Sequence, residues 1–221
     1  MDKNKLTIGD TLFFSFSNPK EHKLKDLSFS LNGKPIEDEF TIIETFGNHL
    51  LVADFLAGDK PFSVREQFVV FADTPPDIYT YRLLNFYPHD KNAYTQGLEF
   101  YKGMLYESTG QYGLSSIRKT AFTTGEVIQK LPLDASYFGE GLTFVNDEAV
   151  QLTWKENLGF IYDPNNFKLL RSFNYDKSKE GWGLCNDGTV VYKTDGSEKL
   201  WKLDPTTFTE IGYVDIVTHN K

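Results

Sequence analysis

Hydrophobic and polar residues alternate with a period of two through most of the chain. In its N-terminal third the alternation comes in short runs, among them "TLFFSFS" (11–17), "LSFSLNG" (27–33) and "REQFVVFA" (65–72), with polar turns between them. This pattern predicts antiparallel strands, and Asn32-Gly33 is a typical two-residue hairpin turn. We therefore expect a small β-sandwich, immunoglobulin-like in size, over residues 1–74.

A pair of prolines follows this region. Pro75 and Pro76 hold the backbone extended and offer no N–H donor to a neighbouring strand, so residues 75–80 are predicted to be a linker. The rest of the chain, residues 81–221, is predicted to be a second β domain. Titratable side chains of the first domain do not group into a convincing site, which favours a spacing or contact role for it.

The second domain repeats itself three times. The segments "YTQGLEFYKGMLYESTG", "FGEGLTFVNDEAVQLTWK" and "EGWGLCNDGTVVYKTDG" begin at Tyr94, Phe138 and Glu180, and their Gly-Leu pairs are 44 and then 42 residues apart. A second half of each unit repeats too, with "TTGE", "DPNN" and "DPTT" as equivalent turns. Four strands per unit and a period in the low forties are typical of a propeller blade. A barrel built from a chance run of hairpins is the alternative.

The residue before each Gly-Leu pair differs between the repeats: it is Gln96, then Glu140, then Trp182. Because the first strand of every blade lines the central channel, these residues are predicted to lie around one mouth of it. The second strand returns to that mouth, which places Trp154 beside Glu140. Different residue types at one repeat position suggest a site assembled from several blades. The alternative is that the tryptophans pack between blades.

Composition excludes several kinds of partner and site. The formal charge of -8 and pI near 5.0 argue against nucleic acid and anionic membrane surfaces, which need a basic stripe. No apolar run is long enough for a transmembrane segment. The single cysteine, Cys185, rules out an internal disulfide framework and is predicted to be a small buried side chain. The adjacent His89 and Asp90 are predicted to be structural rather than a catalytic pair.

From about Tyr79 onward the chain resembles a known family. The motifs "YPHDKNAYTQGLEFYKGMLYESTGQYGLSSIRK", "YFGEGLT", "QLTW", "GFIYD" and "EGWGLCNDG" are similar, in the same order, to those of plant and bacterial glutaminyl cyclases, the glutaminyl-peptide cyclotransferases. The resemblance implies a five-bladed β-propeller, of which about three blades are present. It also implies an enzyme that converts the N-terminal glutamine of peptides to pyroglutamate with release of ammonia, without a metal or other cofactor. The four histidines agree, because they never come at metal-ligand spacing.

The resemblance also implies roles for individual residues. Glu140 matches the family's catalytic glutamate, and Tyr94, Gln96, Trp154 and Trp182 match its substrate-binding residues, with Tyr94 where many relatives have phenylalanine. A carboxyl group can take a proton from the substrate's α-amine and pass it to the departing amide nitrogen, provided that an apolar wall raises its pKa toward neutrality. The tryptophans would form that wall and hold the glutamine side chain in place.

The chain departs from the family at its end. Relatives continue beyond the position of Lys221 into an Asn-Glu-Leu-Glu segment and two more blades, so we expect little or no turnover from the 221-residue chain alone. Relatives with such an N-terminal extension lead us to expect a location outside the cytoplasm, and a monomer is expected. The alternative function is a non-catalytic propeller plus sandwich that acts as an extracytoplasmic peptide-binding or interaction module.

Overall fold

The computed structural model describes residues 6–37 and 40–217, and over these residues it contains strands and turns but no helix. The predicted all-β class is confirmed. Contacts between residues divide the chain into two compact units. One runs to Thr80 and takes in the residues from Asp215 onward, and the other is Tyr81–Val214. In the described part of the chain there is accordingly no helix long and apolar enough to cross a bilayer.

The first unit consists of two sheets with a small shared core. Its strands are β1 (Leu6–Thr7), β2 (Thr11–Phe13), β3 (Leu24–Leu31), β4 (Lys34–Ile36), β5 (Phe40–Ile42), β6 (Gly47–Ala57) and β7 (Lys60–Phe71). One sheet has the order β1-β7-β6-β3-β4, and β2 pairs with β5 in the other. Leu12, Ile43 and Val70 are buried together. Asn32 and Gly33 both have positive φ, as the predicted two-residue hairpin turn requires.

The second unit consists of three four-stranded sheets, one for each sequence repeat. We call them the first, second and third blades. The first contains β8 (Thr95–Tyr101), β9 (Met104–Thr109), β10 (Ser116–Ala121) and β11 (Glu126–Pro132). The second contains β12 (Gly139–Val145), β13 (Glu148–Thr153), β14 (Leu158–Tyr162) and β15 (Leu169–Asn174). The third contains β16 (Leu184–Asn186), β17 (Val191–Thr194), β18 (Lys199–Leu203) and β19 (Glu210–Asp215). Consecutive strands are neighbours in every blade, so each repeat folds as a simple meander.

Two hydrophobic clusters join the blades face to face. Each cluster draws its buried side chains from two neighbouring blades, as in a propeller. The cluster between the first and second blades contains Tyr106, Ile117, Leu142, Phe144, Ala149, Tyr162 and Phe167. The cluster between the second and third contains Val145, Val150, Ile161, Val191, Trp201, Leu203 and Phe208. The second blade therefore packs on both of its faces.

The repeated glycines mark where the first strands of neighbouring blades meet. A Cβ at Gly97 would lie 2.7 Å from the Cβ of Leu142, and one at Gly141 would lie 2.6 Å from the backbone nitrogen of Leu184. Real Cβ atoms do not come so close to other atoms, so a larger residue at either position would push two blades apart. The leucine of the second pair fills the core, because Leu142 is only 2% exposed, whereas Leu98 is 54% exposed. Close approach explains the glycine in the first two pairs, and core filling explains the leucine in the second.

One prediction about a single residue is wrong, and another is confirmed. Cys185 is exposed rather than buried, because its neighbour Leu184 packs against the core and successive side chains of a strand point to opposite faces. His89 and Asp90 do not pair with each other. His89 Nε2 lies 3.0 Å from Glu107 Oε1, and Asp90 accepts a hydrogen bond from Arg118 at 2.9 Å, so both are structural.

Candidate active site

Glu140 lies in a β-bulge at the start of the second blade. The register of β12 against β13 shifts between Gly139, which pairs with Thr153, and Leu142, which pairs with Gln151. Glu140 and Gly141 together thus oppose one residue of β13. A bulge turns a side chain out of the regular alternation of the strand and is common beside active sites. The two glycines flanking the glutamate were the signal in the sequence that could have predicted it.

The first blade has a bulge at the equivalent position. Here the register shifts between Thr95, which pairs with Thr109, and Gly97, which pairs with Ser108. Gln96 is the extra residue, as Glu140 is in the next blade. Two of the predicted site residues therefore leave the regular ladder at the same repeat position.

The side chain of Glu140 is largely buried and has no partner among the described residues. The residue is only 9% exposed, and no described residue donates a hydrogen bond to its side chain or forms an ion pair with it. Burial, and after it the negative charge of Glu180, raises the pKa of Glu140 to about 7. A carboxyl group with such a pKa exchanges a proton readily at neutral pH.

Glu180 joins the two tryptophans predicted for the site. Its Oε2 accepts a hydrogen bond from Trp154 Nε1 at 2.5 Å and another from Trp182 Nε1 at 2.7 Å. These bonds, that from Trp182 first, lower the pKa of Glu180, so the carboxylate is charged at neutral pH. Sequence reasoning missed Glu180. Its signal was a departure from the repeat, because the equivalent positions hold the aromatic residues Tyr94 and Phe138.

Phe138 lies among the remaining residues predicted for the site. Its ring makes edge contacts with Tyr94 at 6.1 Å and Trp154 at 5.3 Å between ring centroids. Gly110 has no side chain, which leaves room for both Phe138 and Gln96: a Cβ there would lie 3.0 Å from Cγ of Gln96. Phe138 was also missed by sequence reasoning. Its ring thus contacts one aromatic residue of the first blade's repeat, Tyr94, and one of the second, Trp154.

The aromatic side chains around the site are open to solvent. Trp182 is 44% exposed and Tyr94 is 51% exposed, although large aromatic side chains are usually well covered. The side chain of Lys155 covers one part of the wall, with its ammonium 3.7 Å from the ring centroid of Trp154. The site thus combines one buried acid with apolar surface that a ligand can reach.

Metal-ligating side chains do not converge in the described part of the chain. No group of three or more His, Cys, Asp or Glu residues has the arrangement to hold an ion there. His219, one of the four histidines, lies outside the described residues.

The chain is similar in sequence and in fold to known proteins. The sequence model of the family described as glutamine cyclotransferase matches residues 60–221. The chain belongs to the glutamine cyclotransferase family. The glutaminyl-peptide cyclotransferase of Arabidopsis thaliana is 44% identical to this family member over 123 residues. The crystal structure of Myxococcus xanthus glutaminyl cyclase superimposes with a TM-score of 0.55 at 31% sequence identity.

Each of these matches covers part of both proteins. The alignment with the Arabidopsis protein takes in 55% of this chain and 38% of its relative. The superposition on the Myxococcus enzyme covers 61% of this chain and 56% of the other. The chain therefore spans between about a third and a little over half the length of these relatives.

Proposed function

We propose that the protein is a glutaminyl-peptide cyclotransferase, which converts the N-terminal glutamine of a peptide to pyroglutamate and releases ammonia. One observation carries the proposal: Glu140 is a largely buried residue in a bulge near solvent-exposed aromatic residues, and its carboxyl group has a pKa of about 7 and no partner among the described residues. Membership of the glutamine cyclotransferase family and the names of its relatives support the same reaction. No observation favours the alternative of a non-catalytic binding module.

The reaction needs one group that moves a proton. The neutral α-amine of the substrate attacks the carbon of its own γ-amide, and a new C–N bond closes the five-membered ring. Glu140 takes a proton from the attacking nitrogen and then gives it to the amide nitrogen. The old C–N bond breaks, and ammonia leaves. A shuttle of this kind works best when its pKa lies near the working pH, as it does for Glu140, and typically contributes about 10²- to 10⁴-fold to the rate.

The remaining residues are proposed to bind the substrate. Trp154 and Trp182 supply an apolar wall against which the glutamine side chain can fold toward its own amine. Tyr94 would extend this wall in the first blade. Gln96 carries an amide that can donate to and accept from the substrate's polar groups. The ring contacts of Tyr94 and Trp154 with Phe138 support their grouping, and Gln96 lies beside Gly110, as Phe138 does.

The substrates are proposed to be peptides or proteins with an N-terminal glutamine. The formal charge of -8 supports neither nucleic acid nor an anionic surface as a partner. We further propose that the protein acts as a monomer outside the cytoplasm, as the family resemblance suggests. Size-exclusion chromatography with light scattering and fractionation of the source cells would test these two points.

The domain assignment is likewise a proposal. We take residues 1–74 as a sandwich that spaces or contacts other molecules, 75–80 as a linker and 81–221 as the cyclotransferase region. The separate core around Leu12 and Val70 supports an independent first domain. Limited proteolysis that cut between residues 75 and 80 and left two stable products would agree with it.

An ammonia-release assay on a glutamine-initiated dipeptide tests the activity. We expect turnover by the natural gene product, and Glu140→Gln should lower kcat/KM by about 10²- to 10⁴-fold because the variant side chain cannot carry the proton. The matched control is Glu148→Gln. Glu148 pairs with Val145 at the far end of the same hairpin and forms an ion pair with Arg171, so kcat/KM should stay within about twofold.

Two results would count against the proposal. Activity that survives Glu140→Gln would remove that residue from the mechanism. If the natural protein released no ammonia yet bound the dipeptide saturably, the binding module would replace the enzyme as the favoured function.

A further inference from the structure

One carboxylate oxygen holds two indole rings that come from different blades. Trp154 directly follows β13 of the second blade, and Trp182 lies two residues before β16 of the third blade. Both Nε1 atoms donate to Oε2 of Glu180, at 2.5 Å and 2.7 Å. The other carboxylate oxygen has no hydrogen-bond partner among the described residues. Glu180 is thus shared between the two rings and leaves one oxygen open.

We propose that Glu180 is a positioning residue of the cyclotransferase site, which locks the rings of Trp154 and Trp182 into one wall with a fixed relative orientation. The inference rests on the proposed function. Glu180 need not touch the reacting atoms, because it would act through the two rings that do. Hydrogen bonds to a charged acceptor are about twice as strong as neutral ones, so this arrangement restrains both side chains.

The backbone around Glu180 is itself held in place. Its carbonyl oxygen accepts a hydrogen bond from Nζ of the buried Lys193 at 2.7 Å. The next residue, Gly181, donates its N–H to the carbonyl of Trp154 at 2.8 Å. Trp182 donates its N–H to the carbonyl of Thr194 at 3.0 Å. The carboxylate therefore projects from a short segment fixed to both blades, which a positioning role requires.

The ring of Trp182 packs against the backbone of Gly196. Gly196 has a φ of 77° and its missing side chain makes room for the indole, since a Cβ there would lie 2.6 Å from Cζ2 of Trp182. The ring is confined on that side by backbone, and its N–H is confined by Glu180. An exposed tryptophan held in one orientation offers binding surface without a large loss of side-chain entropy when a ligand arrives.

The charge of Glu180 has a second effect, on Glu140. It adds to burial in raising the pKa of Glu140, so the proton-carrying form persists to higher pH than burial alone would allow. Other charges act on Glu180 itself: Lys155 favours its ionised form and Asp195 opposes it. The charge of Glu140 also acts on the phenol of Tyr175, which therefore lies near the Glu140 carboxyl group. Loss of the charge at position 180 should therefore move the pKa of Glu140 downward.

Nuclear magnetic resonance of the indole N–H groups tests the arrangement without relying on activity. The chain has three tryptophans, and Trp201 serves as the internal comparison because its Nε1 donates to Asp195 at 2.9 Å rather than to Glu180. In Glu180→Ala, the resonances of Trp154 and Trp182 should move upfield in the proton dimension as they lose a charged acceptor, while that of Trp201 should stay in place. Unmoved resonances of Trp154 and Trp182 would overturn the proposal.

Kinetics of the natural gene product and its variants on a glutamine-initiated dipeptide then distinguish a positioning role of Glu180 from a purely structural one. Glu180→Ala should lower kcat/KM by about 10- to 100-fold, because misplaced contacts commonly cost that much. Glu180→Gln keeps an oxygen that can accept both indoles, so most of kcat/KM should return. However, the acidic limb of its pH profile should shift to lower pH, because Glu140 loses a negative neighbour. Glu148→Gln, at the far end of the second blade, should change neither the profile nor the indole spectrum.

The possible failures can be told apart. If Glu180→Ala displaces all three indole resonances, the fold itself is lost, and Glu180→Gln becomes the deciding variant. An active enzyme whose kcat/KM and pH profile ignore both substitutions would overturn the positioning role even if the resonances move. No ammonia release by the natural gene product would overturn the proposed function, and the positioning role with it. The indole spectrum would still report whether Glu180 holds the rings.

Discussion

Two rows of repeat-equivalent residues run across the three blades. They differ in how many of their polar side chains are hydrogen-bonded within the protein. The first row precedes the Gly-Leu pairs and contains Gln96, Glu140 and Trp182. The second row pairs with the leucines across the first hairpin of each blade and contains Glu107, Gln151 and Lys193. Both rows hold three different kinds of side chain. Variation along a repeat position therefore does not by itself distinguish a site from a structural layer.

The second row is buried and bonded within the protein. Glu107 accepts a hydrogen bond from Thr95 Oγ1 at 2.6 Å, and the Nε2 of Gln151 donates to Ser108 Oγ at 2.7 Å. Lys193 is fully buried and donates to Ser178 and to the carbonyl of Glu180. Buried polar groups need such partners. The row consists of structural ties between strands and between blades.

The first row is satisfied only in part, because Trp182 donates its Nε1 to Glu180 at 2.7 Å whereas Glu140 has no such bond. The side chain of Glu140 is buried with no partner among the described residues, and Trp182 is 44% exposed. Stability alone would not select a buried acid without a hydrogen bond. The comparison teaches that an acid with a raised pKa and no partner among the described residues indicates a site better than differing residue types do, although one atom of the structural row, Gln151 Oε1, also lacks a partner there.

Substitution of Lys193 should give the largest loss of stability. Lys193→Met removes the ammonium that lies 3.7 Å from Glu210 Oε1 and leaves that buried carboxylate without its cation. Breaking a buried pair in this way typically costs about 3 to 5 kcal/mol, and we expect the lower end because Glu210 keeps the backbone N–H groups of Lys177 and Ser178. Urea unfolding at pH 7, followed by tryptophan fluorescence, measures the change.

Lys130→Met is the matched control for that variant. Lys130 is exposed on β11, so its loss should change the free energy of unfolding by less than about 0.5 kcal/mol. Equal effects at positions 130 and 193 would show that the buried row is not the structural layer described above. Burial lowers the pKa of Lys193 to about 8, against the pull of Glu210 and Asp195, so at pH 7 the side chain is still protonated.

A smaller loss is expected at the same position of the second blade. Gln151→Leu should lower the free energy of unfolding by about 1 kcal/mol, the usual net worth of a hydrogen bond. The cost is limited because Gln151 Oε1 already lacks a partner among the described residues. Differential scanning fluorimetry on the two proteins gives the shift in melting temperature. A gain in stability would mean that the bonds to Ser108 and Ser116 contribute nothing.

The fold could be predicted from the sequence because the repeat acts at two levels. Alternation predicted the strands, and the 44- and 42-residue spacing of the Gly-Leu pairs predicted one four-stranded sheet per repeat. The two levels agree most clearly in the second blade, where Gly141 marks a contact with the third blade and Leu142 fills a core. Cys185 was wrongly predicted to be buried because cysteines are buried on average. The alternation of side chains along β16 decides instead that this one points to the exposed face.

The candidate site could be predicted only in part. Glu140, Gln96 and Trp182 share a repeat position, so periodicity alone brought them to one level of the propeller. The bulges at Gln96 and Glu140 depend on local register, which a flanking glycine suggests but does not fix. Glu180 could not be assigned, because its partners come from two blades and the path of the segment between β15 and β16 sets their meeting. Tertiary contacts of this kind leave no period in the sequence.

The most direct test of the central claim is the free energy of unfolding of Glu140→Gln relative to the unmodified protein, measured at pH 5 and pH 8.5. The folded-state pKa of Glu140 is about 7, above its ordinary value of 4.5. Protonation of Glu140 therefore stabilises the folded protein fully below about pH 4.5, and this stabilisation is lost as the pH rises through 7.

The three tryptophans all lie within Tyr81–Val214, so urea unfolding followed by fluorescence reports on the unit that contains Glu140. We predict nearly equal stabilities at pH 5. At pH 8.5 the glutamine variant should be more stable by about 1 to 3 kcal/mol, because it has no charge to bury. A variant that is less stable at both values of pH would contradict the account, because it would show that Glu140 has a stabilising partner and belongs with the structural row.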